Sequence, residues 1–180
     1  LNKNIFNNII MPTINGMRFD GIPYEGILYA GVMLTAEGPK VIEFNCRFGD
    51  PETQVVLPRL NTDLVEIVHN TVENNLENTS IDLINNTAIT VVIASKGYPG
   101  TFKKGIELPS LNKFDNKEDV LIFHSGTAKN ENKNLISNGG RVLSVTAIGD
   151  NIQDCRQKAY KAVEEINWDK GFFRTDIAKL

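Results

Sequence analysis

Hydrophobic positions recur along the chain in two rhythms, one near 3.6 residues and one of two, and these predict its elements. Ile5, Phe6, Ile9 and Ile10 recur at helical spacing, and Pro12 is expected to end that short helix. A loop through Gly16, Gly21 and Pro23 leads to Tyr24–Leu34, a continuous apolar run expected as a buried strand. Thr35–Pro39 (TAEGP) is turn chemistry, and Lys40–Asn45 reads as the return strand of a hairpin. On it Ile42 and Phe44 point one way, and Val41, Glu43 and Asn45 the other. With the turn near Glu37, Glu43 falls opposite Ala30 or Gly31, small residues that leave room for a bulky ligand. Asp50-Pro51-Glu52 then offers an N-cap, a first-position proline and a first-turn acid for a helix through Val55 and Val56. A second helix starts near Asp63, which with Glu66 resembles a capping box. Its apolar stripe is Leu64, Val65, Ile67, Val68, Val72 and Leu76.

Asn74–Asn86 is polar and marks a domain boundary, giving residues 1–80 and 86–180 as two domains. Beyond it Ala88–Ala94 is an apolar strand followed by the turn Lys96–Gly100, and Val120–His124 and Arg141–Ile148 are further strands. Leu135–Ser137 is short, and Asn138-Gly139-Gly140 joins it to the last strand as a hairpin. Ile152, Cys155, Ala159, Ala162, Val163 and Ile166 define an amphipathic helix capped near Asp150 or Asn151. Trp168, Phe172 and Phe173 are expected to pack the chain end on the sheet. The second domain therefore reads as a small α+β fold with a mostly antiparallel sheet.

Composition narrows the class. The chain has 180 residues, 41% of them apolar, with a net charge of −3. That balance, with no long basic run, argues against a nucleic-acid surface. No apolar stretch reaches the roughly 18 residues of a membrane-spanning helix. Two cysteines, Cys46 and Cys155, are too few for a disulfide framework or a zinc site. Cys46 shares the parity of Ile42 and Phe44, so a buried thiol is expected there, and a reducing cytoplasm fits.

The chemistry concentrates in Lys40–Gln54 (KVIEFNCRFGDPETQ). Residues two apart on a strand share a face at about 7 Å. Glu43 and Asn45 thus present two oxygen donors side by side, with the cation Arg47 just beyond. Magnesium takes oxygen ligands, often only one or two from protein, and fills its octahedron with water and phosphates. A Glu-x-Asn alone fits a half-exposed strand better than a metal site, so the assignment rests on the rest of the chain. Asp50 is more often a cap than a catalyst, yet a helix beginning there would aim its first amides at the same pocket. His69 reads as a packing or surface histidine. His124-Ser125 lacks an acidic partner in sequence, so a serine-hydrolase reading is weak. There is no P-loop and no G-x-G-x-x-G.

Taken together the stretches resemble the C-terminal portion of the phosphoribosylamine–glycine ligase (glycinamide ribonucleotide synthetase) family, within the ATP-grasp superfamily. The matching pieces are Pro12-Thr13 with Gly16-Met17, YEGILYAGVML at 24–34, KVIEFNCRFGDPETQ at 40–54, GYPG at 97–100, FHSGT at 123–127, NGGRVLSVT at 138–146 and GFFRTDI at 171–177. The resemblance implies the end of an ATP-grasp domain, an antiparallel sheet with helices, followed by a small α+β C-terminal domain. It implies an enzyme joining glycine to 5-phosphoribosylamine at the expense of ATP in purine biosynthesis. It further implies Mg²⁺ (or Mn²⁺) on Glu43 and Asn45, and Arg47 stabilising the transferring phosphoryl group beside the nucleotide. Asp50 and Glu52 then shape the glycine end.

Many ATP-grasp enzymes add a carboxylate from the preceding strand, where this chain has Tyr29-Ala30-Gly31. The family's N-terminal portion has no counterpart here, so the chain is expected to be a fragment, inactive alone, whose partner is that portion. The parent is expected to be a monomer with small-molecule substrates, without nucleic-acid or membrane partners. Two rivals stay open: another ATP-grasp ligase or carboxylase, and a non-catalytic binding module.

Overall fold

The computed structural model describes residues 1–179. In chain order the elements are α1 (Asn2–Ile5), a π-helical turn (Phe6–Ile10), α2 (Met11–Phe19), β1 (Tyr29–Thr35), β2 (Gly38–Asn45), α3 (Thr53–Val56) and α4 (Leu64–Val72). There follow β3 (Thr87–Ser95), β4 (Val120–His124), β5 (Thr127–Lys129), β6 (Leu135–Ser137), β7 (Arg141–Gly149), α5 (Ile152–Ile166) and β8 (Gly171–Phe172). They form two compact units that interleave in sequence. Leu1–Asp50 and Asn61–Asp82 make one, and Pro51–Leu60 and Leu83–Leu180 the other.

In the first unit the opening helix passes through Pro12 instead of ending there. A helical proline loses an N–H and crowds the carbonyl four residues back. Here the preceding turn is π-helical, Met11 N–H bonding five residues back to Phe6 O, and Pro12 falls in the first turn of α2. The loop therefore begins only after Phe19, and Gly16 is helical. The expected strand at 24–34 is shorter, Tyr29–Thr35, and half-buried to exposed. Its leading residues are irregular, with Tyr24 Oη donating to Ile27 O at 2.6 Å.

β1 and β2 pair antiparallel around Ala36-Glu37, from Thr35↔Gly38 to Tyr29↔Asn45. Gly31 stands opposite Glu43, and the register skips Ile42, a β-bulge. α4 is capped by Asp63, whose carboxylate accepts from Val65 N–H at 2.7 Å. The stripe expected on it is mostly open: Ile67 is buried, while Val65 is 76% and Val72 68% exposed. His69 is on the surface.

The second unit is a four-stranded antiparallel sheet in the order β4-β7-β3-β8. α5 covers one face, its Cys155, Ala159, Ala162, Val163 and Ile166 meeting Ile89, Val91, Ile93, Val145 and Ala147 in one core. Asn151 caps it, accepting from Asp154 N–H at 3.0 Å. Trp168 joins this core, its Nε1–H donating to Glu107 O at 3.0 Å. Phe173 packs against the core, whereas Phe172 pairs in β8 and stays 40% exposed. α3 is held to the same sheet by Thr146 Oγ1, which donates to Gln54 O at 3.0 Å.

Two expectations need correcting. Leu135–Ser137 does not form a hairpin with β7; it pairs with β5, a three-residue strand the apolar pattern does not mark. Asn138-Gly139-Gly140 instead serves a crossing of two backbones. Asn138 N–H donates to Gly126 O at 2.7 Å and Gly126 N–H to Arg141 O at 2.8 Å. The polar stretch 74–86 is also more than a linker, since Ile84 N–H bonds Arg59 O at 2.8 Å beside a Leu60–Leu83 bridge.

Candidate functional site

β2 carries the candidate chemistry in the first unit. Asn45 Nδ2–H donates to Glu43 Oε1 at 3.0 Å, so strand parity does bring these side chains together. That bond uses one carboxylate oxygen and an amide N–H, leaving the other carboxylate oxygen and the amide oxygen as acceptors. Both residues are solvent-accessible. A Cβ on Gly31 would lie 3.1 Å from Glu43 Cγ. The space left by this glycine is thus taken by the Glu43 stem rather than held open for a ligand. Arg47 is exposed, and its Nη1–H donates to Phe48 O at 2.8 Å, which ties the guanidinium to its own loop.

The remaining candidates are placed differently. The helix expected from Asp50 begins only at Thr53, with Glu52 as its backbone cap and no side-chain cap bond. At four residues its N-terminus has little dipole to offer an anion. Asp50 closes the first unit's segment while Glu52 belongs to the second, so the two are not one cluster within a unit.

Glu43 and Asn45 are hard oxygen donors of the kind Mg²⁺ selects, and two protein ligands suffice where phosphates complete the shell. Among the described residues no group of three or more His, Cys, Asp or Glu is arranged to hold a metal. Gly31 occupies the position across from Glu43, so no acid on β1 adds to the pair.

Sequence parity fails at Cys46. It lies past the end of β2, where alternation no longer applies, and is exposed. Burial first, then the neighbouring Cys46 thiol, pushes the Tyr24 hydroxyl above its ordinary pKa. No spacing signal marks that pair. Cys155 is fully buried, its Sγ–H donating to Thr87 O at 3.1 Å, and burial raises its thiol pKa. In the native protein at mildly alkaline pH, a thiol reagent is therefore expected to label Cys46 rapidly and Cys155 only after unfolding. Equal rates, read by peptide mass mapping, would contradict this placement.

In the second unit three of the distinctive motifs meet. A Cβ on Gly140 would fall 2.1 Å from Tyr98 Cδ2, so the GYPG turn packs its ring on the NGG backbone. Gly139 and Gly126 of FHSGT touch across the crossing. His124 is exposed, with Nδ1 at 3.0 Å from Thr127 Oγ1, which gives the histidine a threonine partner rather than Ser125.

Comparison with known proteins agrees with this architecture. The family model of the phosphoribosylglycinamide synthetase C domain matches residues 88–180, and that of the same synthetase's ATP-grasp (A) domain matches residues 1–53. The phosphoribosylamine–glycine ligase of Caldanaerobacter subterraneus is 43% identical over 170 residues, covering 94% of this chain and 40% of that protein. The trifunctional purine biosynthetic protein adenosine-3 of Gallus gallus is 47% identical over 94% of this chain and 17% of its own length. Among solved structures, the phosphoribosylamine–glycine ligase of Thermotoga maritima superposes with a TM-score of 0.70 at 33% identity, over 90% of this chain and 39% of that one. The chain thus spans about 40% of the length of ligases it matches.

Proposed function

The chain belongs to the phosphoribosylglycinamide synthetase family, and from that membership we propose that it is the C-terminal part of a phosphoribosylamine–glycine ligase. Residues 1–80 are the closing part of its ATP-grasp domain and residues 86–180 its C-terminal domain. In the reaction the glycine carboxylate attacks the γ-phosphorus of ATP, releasing ADP and forming glycyl phosphate. The amine of 5-phosphoribosylamine then attacks the glycyl carbonyl, and phosphate leaves with the amide formed. No side-chain nucleophile is required, so the protein's work is positioning and charge compensation.

The observation that carries the reading is the Glu43–Asn45 pair, bonded at 3.0 Å on a strand inside the ATP-grasp match. These side chains would hold Mg²⁺ (or Mn²⁺), which when bound neutralises charge on the ATP phosphates. Arg47, whose guanidinium is bonded to Phe48 O, would stabilise the transferring phosphoryl group by charge-assisted hydrogen bonds. Asp50 and Glu52, on the segment that follows, are the candidates for shaping the glycine end. The enzyme acts as a cytoplasmic monomer on small molecules, with the remainder of the same polypeptide supplying the rest of the ATP site.

A chimera tests this: the 180 residues replace the matching 40% of the Caldanaerobacter ligase. ADP release should require both glycine and phosphoribosylamine, and the isolated chain should show no turnover. A chimera that works with bicarbonate in place of glycine, or an isolated chain as fast as the full-length enzyme, would refute the reading.

A further inference from the structure

The chain contains two Asn-Gly pairs, Asn15-Gly16 and Asn138-Gly139. An asparagine before glycine can react with its own backbone, because no side chain on the glycine shields its nitrogen. That nitrogen attacks the Asn Cγ, a C–N bond forms, and the Cγ–Nδ2 bond breaks with loss of ammonia. Water then opens the resulting succinimide at either carbonyl, giving Asp or isoaspartate. The fold must leave the carboxamide free, the glycine N–H without an acceptor, and the space beside that nitrogen open.

Exposure does not separate the two pairs, since both asparagines are exposed. Backbone bonding does. Asn15 and Gly16 lie inside α2, where an N–H bonds the carbonyl four residues back. The same turn is held from the other end by Asp20 N–H, which bonds Gly16 O at 2.9 Å. Attack by Gly16 therefore requires local opening of the helix. Asn138-Gly139 lies outside any helix or strand, between β6 and β7. Among the described residues the Asn138 carboxamide has no hydrogen-bond partner and the Gly139 N–H has no acceptor. Gly126 keeps the space beside that nitrogen clear, because a Cβ on it would stand 2.8 Å from Gly139 N.

We propose that Asn138 is a self-modification site, converting in the folded protein to Asp and isoaspartate, and that the isoaspartate loosens the crossing of backbones at Gly126. The two products act differently. Asp alters only an exposed side chain. Isoaspartate routes the main chain through Cβ and Cγ, which inserts one carbon between the Cα of residue 138 and Gly139 N. The chain is pinned on both sides of that point. Asn138 N–H donates to Gly126 O at 2.7 Å, and Ser95 Oγ–H donates to Gly139 O at 2.9 Å. A longer link strains both anchors.

The 180-residue protein is incubated at mildly alkaline pH, folded and in denaturant, and then digested with trypsin. Fragmentation mass spectrometry reads conversion at Asn138 in peptide 134–141 and at Asn15 in peptide 4–18. In denaturant both sites should convert at similar rates. In the folded protein Asn138 should convert at least about tenfold faster than Asn15, equivalent to an opening cost of about 1.4 kcal/mol in α2. As isoaspartate accumulates, a population unfolding at least about 4 °C lower should appear. Asn138→Asp should unfold at the wild-type midpoint. Asn138→Gln, whose longer side chain would have to close a six-membered ring, should neither convert nor develop the lower population. Equal conversion of the two sites in the folded state, or an Asn138 that converts only in denaturant, would overturn the proposal. So would isoaspartate protein that unfolds with the wild type, or a lower population that also appears in Asn138→Gln. No ligase substrate enters the measurement, so this site and the ligase reading fail separately.

Discussion

Replacing Glu43 by Gln in the complete ligase is expected to lower turnover by at least about a hundredfold while leaving the fold intact. Disturbing even the outer partners of metal ligands costs about ten- to a hundredfold, and Glu43 is proposed as a direct ligand. The amide preserves shape and can still accept from Asn45, but it removes the negative charge. The deficit should therefore appear as a raised requirement for Mg²⁺ and be partly relieved at high Mg²⁺. Asn45→Ala should give a smaller loss of the same kind, since a neutral amide oxygen contributes less to a hard cation than a carboxylate. The stability cost of either change is small, because both side chains are solvent-accessible. Coupled measurement of ADP release against Mg²⁺ checks this, and a Glu43→Gln enzyme with wild-type turnover and Mg²⁺ dependence would remove the metal assignment.

Gly126→Ala is expected to damage the second unit severely for its size, costing about 3 kcal/mol or more. Its backbone is not at a glycine-only angle; the reason is proximity. A Cβ there would stand 2.5 Å from Arg141 O and 2.6 Å from Gly139 Cα, both main-chain atoms that cannot swing aside. Gly105 separates steric approach from backbone conformation, having φ +76° and nothing within 4 Å of where a Cβ would stand. Gly105→Ala should cost only about 1 kcal/mol. Thermal unfolding should place Gly126→Ala at least about 12 °C lower, against about 5 °C for Gly105→Ala. Equal shifts would mean that the crossing relaxes around a methyl group.

How much of this could be read from sequence depended on what each element buries. β3, β4, β7 and α5 fall close to where the pattern places them, because their apolar residues make the core of their unit. β5 escaped since Thr127–Lys129 has neither the length nor the alternation to register. Asn138-Gly139-Gly140 resembles a hairpin turn, but glycines also permit backbones to touch, and only the crossing at Gly126 distinguishes the two uses. Pro12 misleads for a related reason: the rule against proline applies to helix interiors, and Pro12 falls in the first turn of α2, just after a π turn. At the site, parity and register located Glu43, Asn45 and Gly31 because a two-residue period and one turn fix them. Beyond the end of β2 that logic stops, as Cys46 and the late start of α3 both show.

The interleaving of the two units has a consequence for how the chain must be made. Gln54 leaves the ribosome 92 residues before Thr146, the residue that will hold its carbonyl. At 5–20 residues per second that is an interval of roughly 5 to 20 s. Throughout it the segment carrying Val55, Val56 and Leu57 has no sheet to rest on, although α4 has already been synthesised after it. Translation speed between these points, and any chaperone able to shield a short apolar segment, therefore bears on the yield of folded protein without touching a single contact of the finished one.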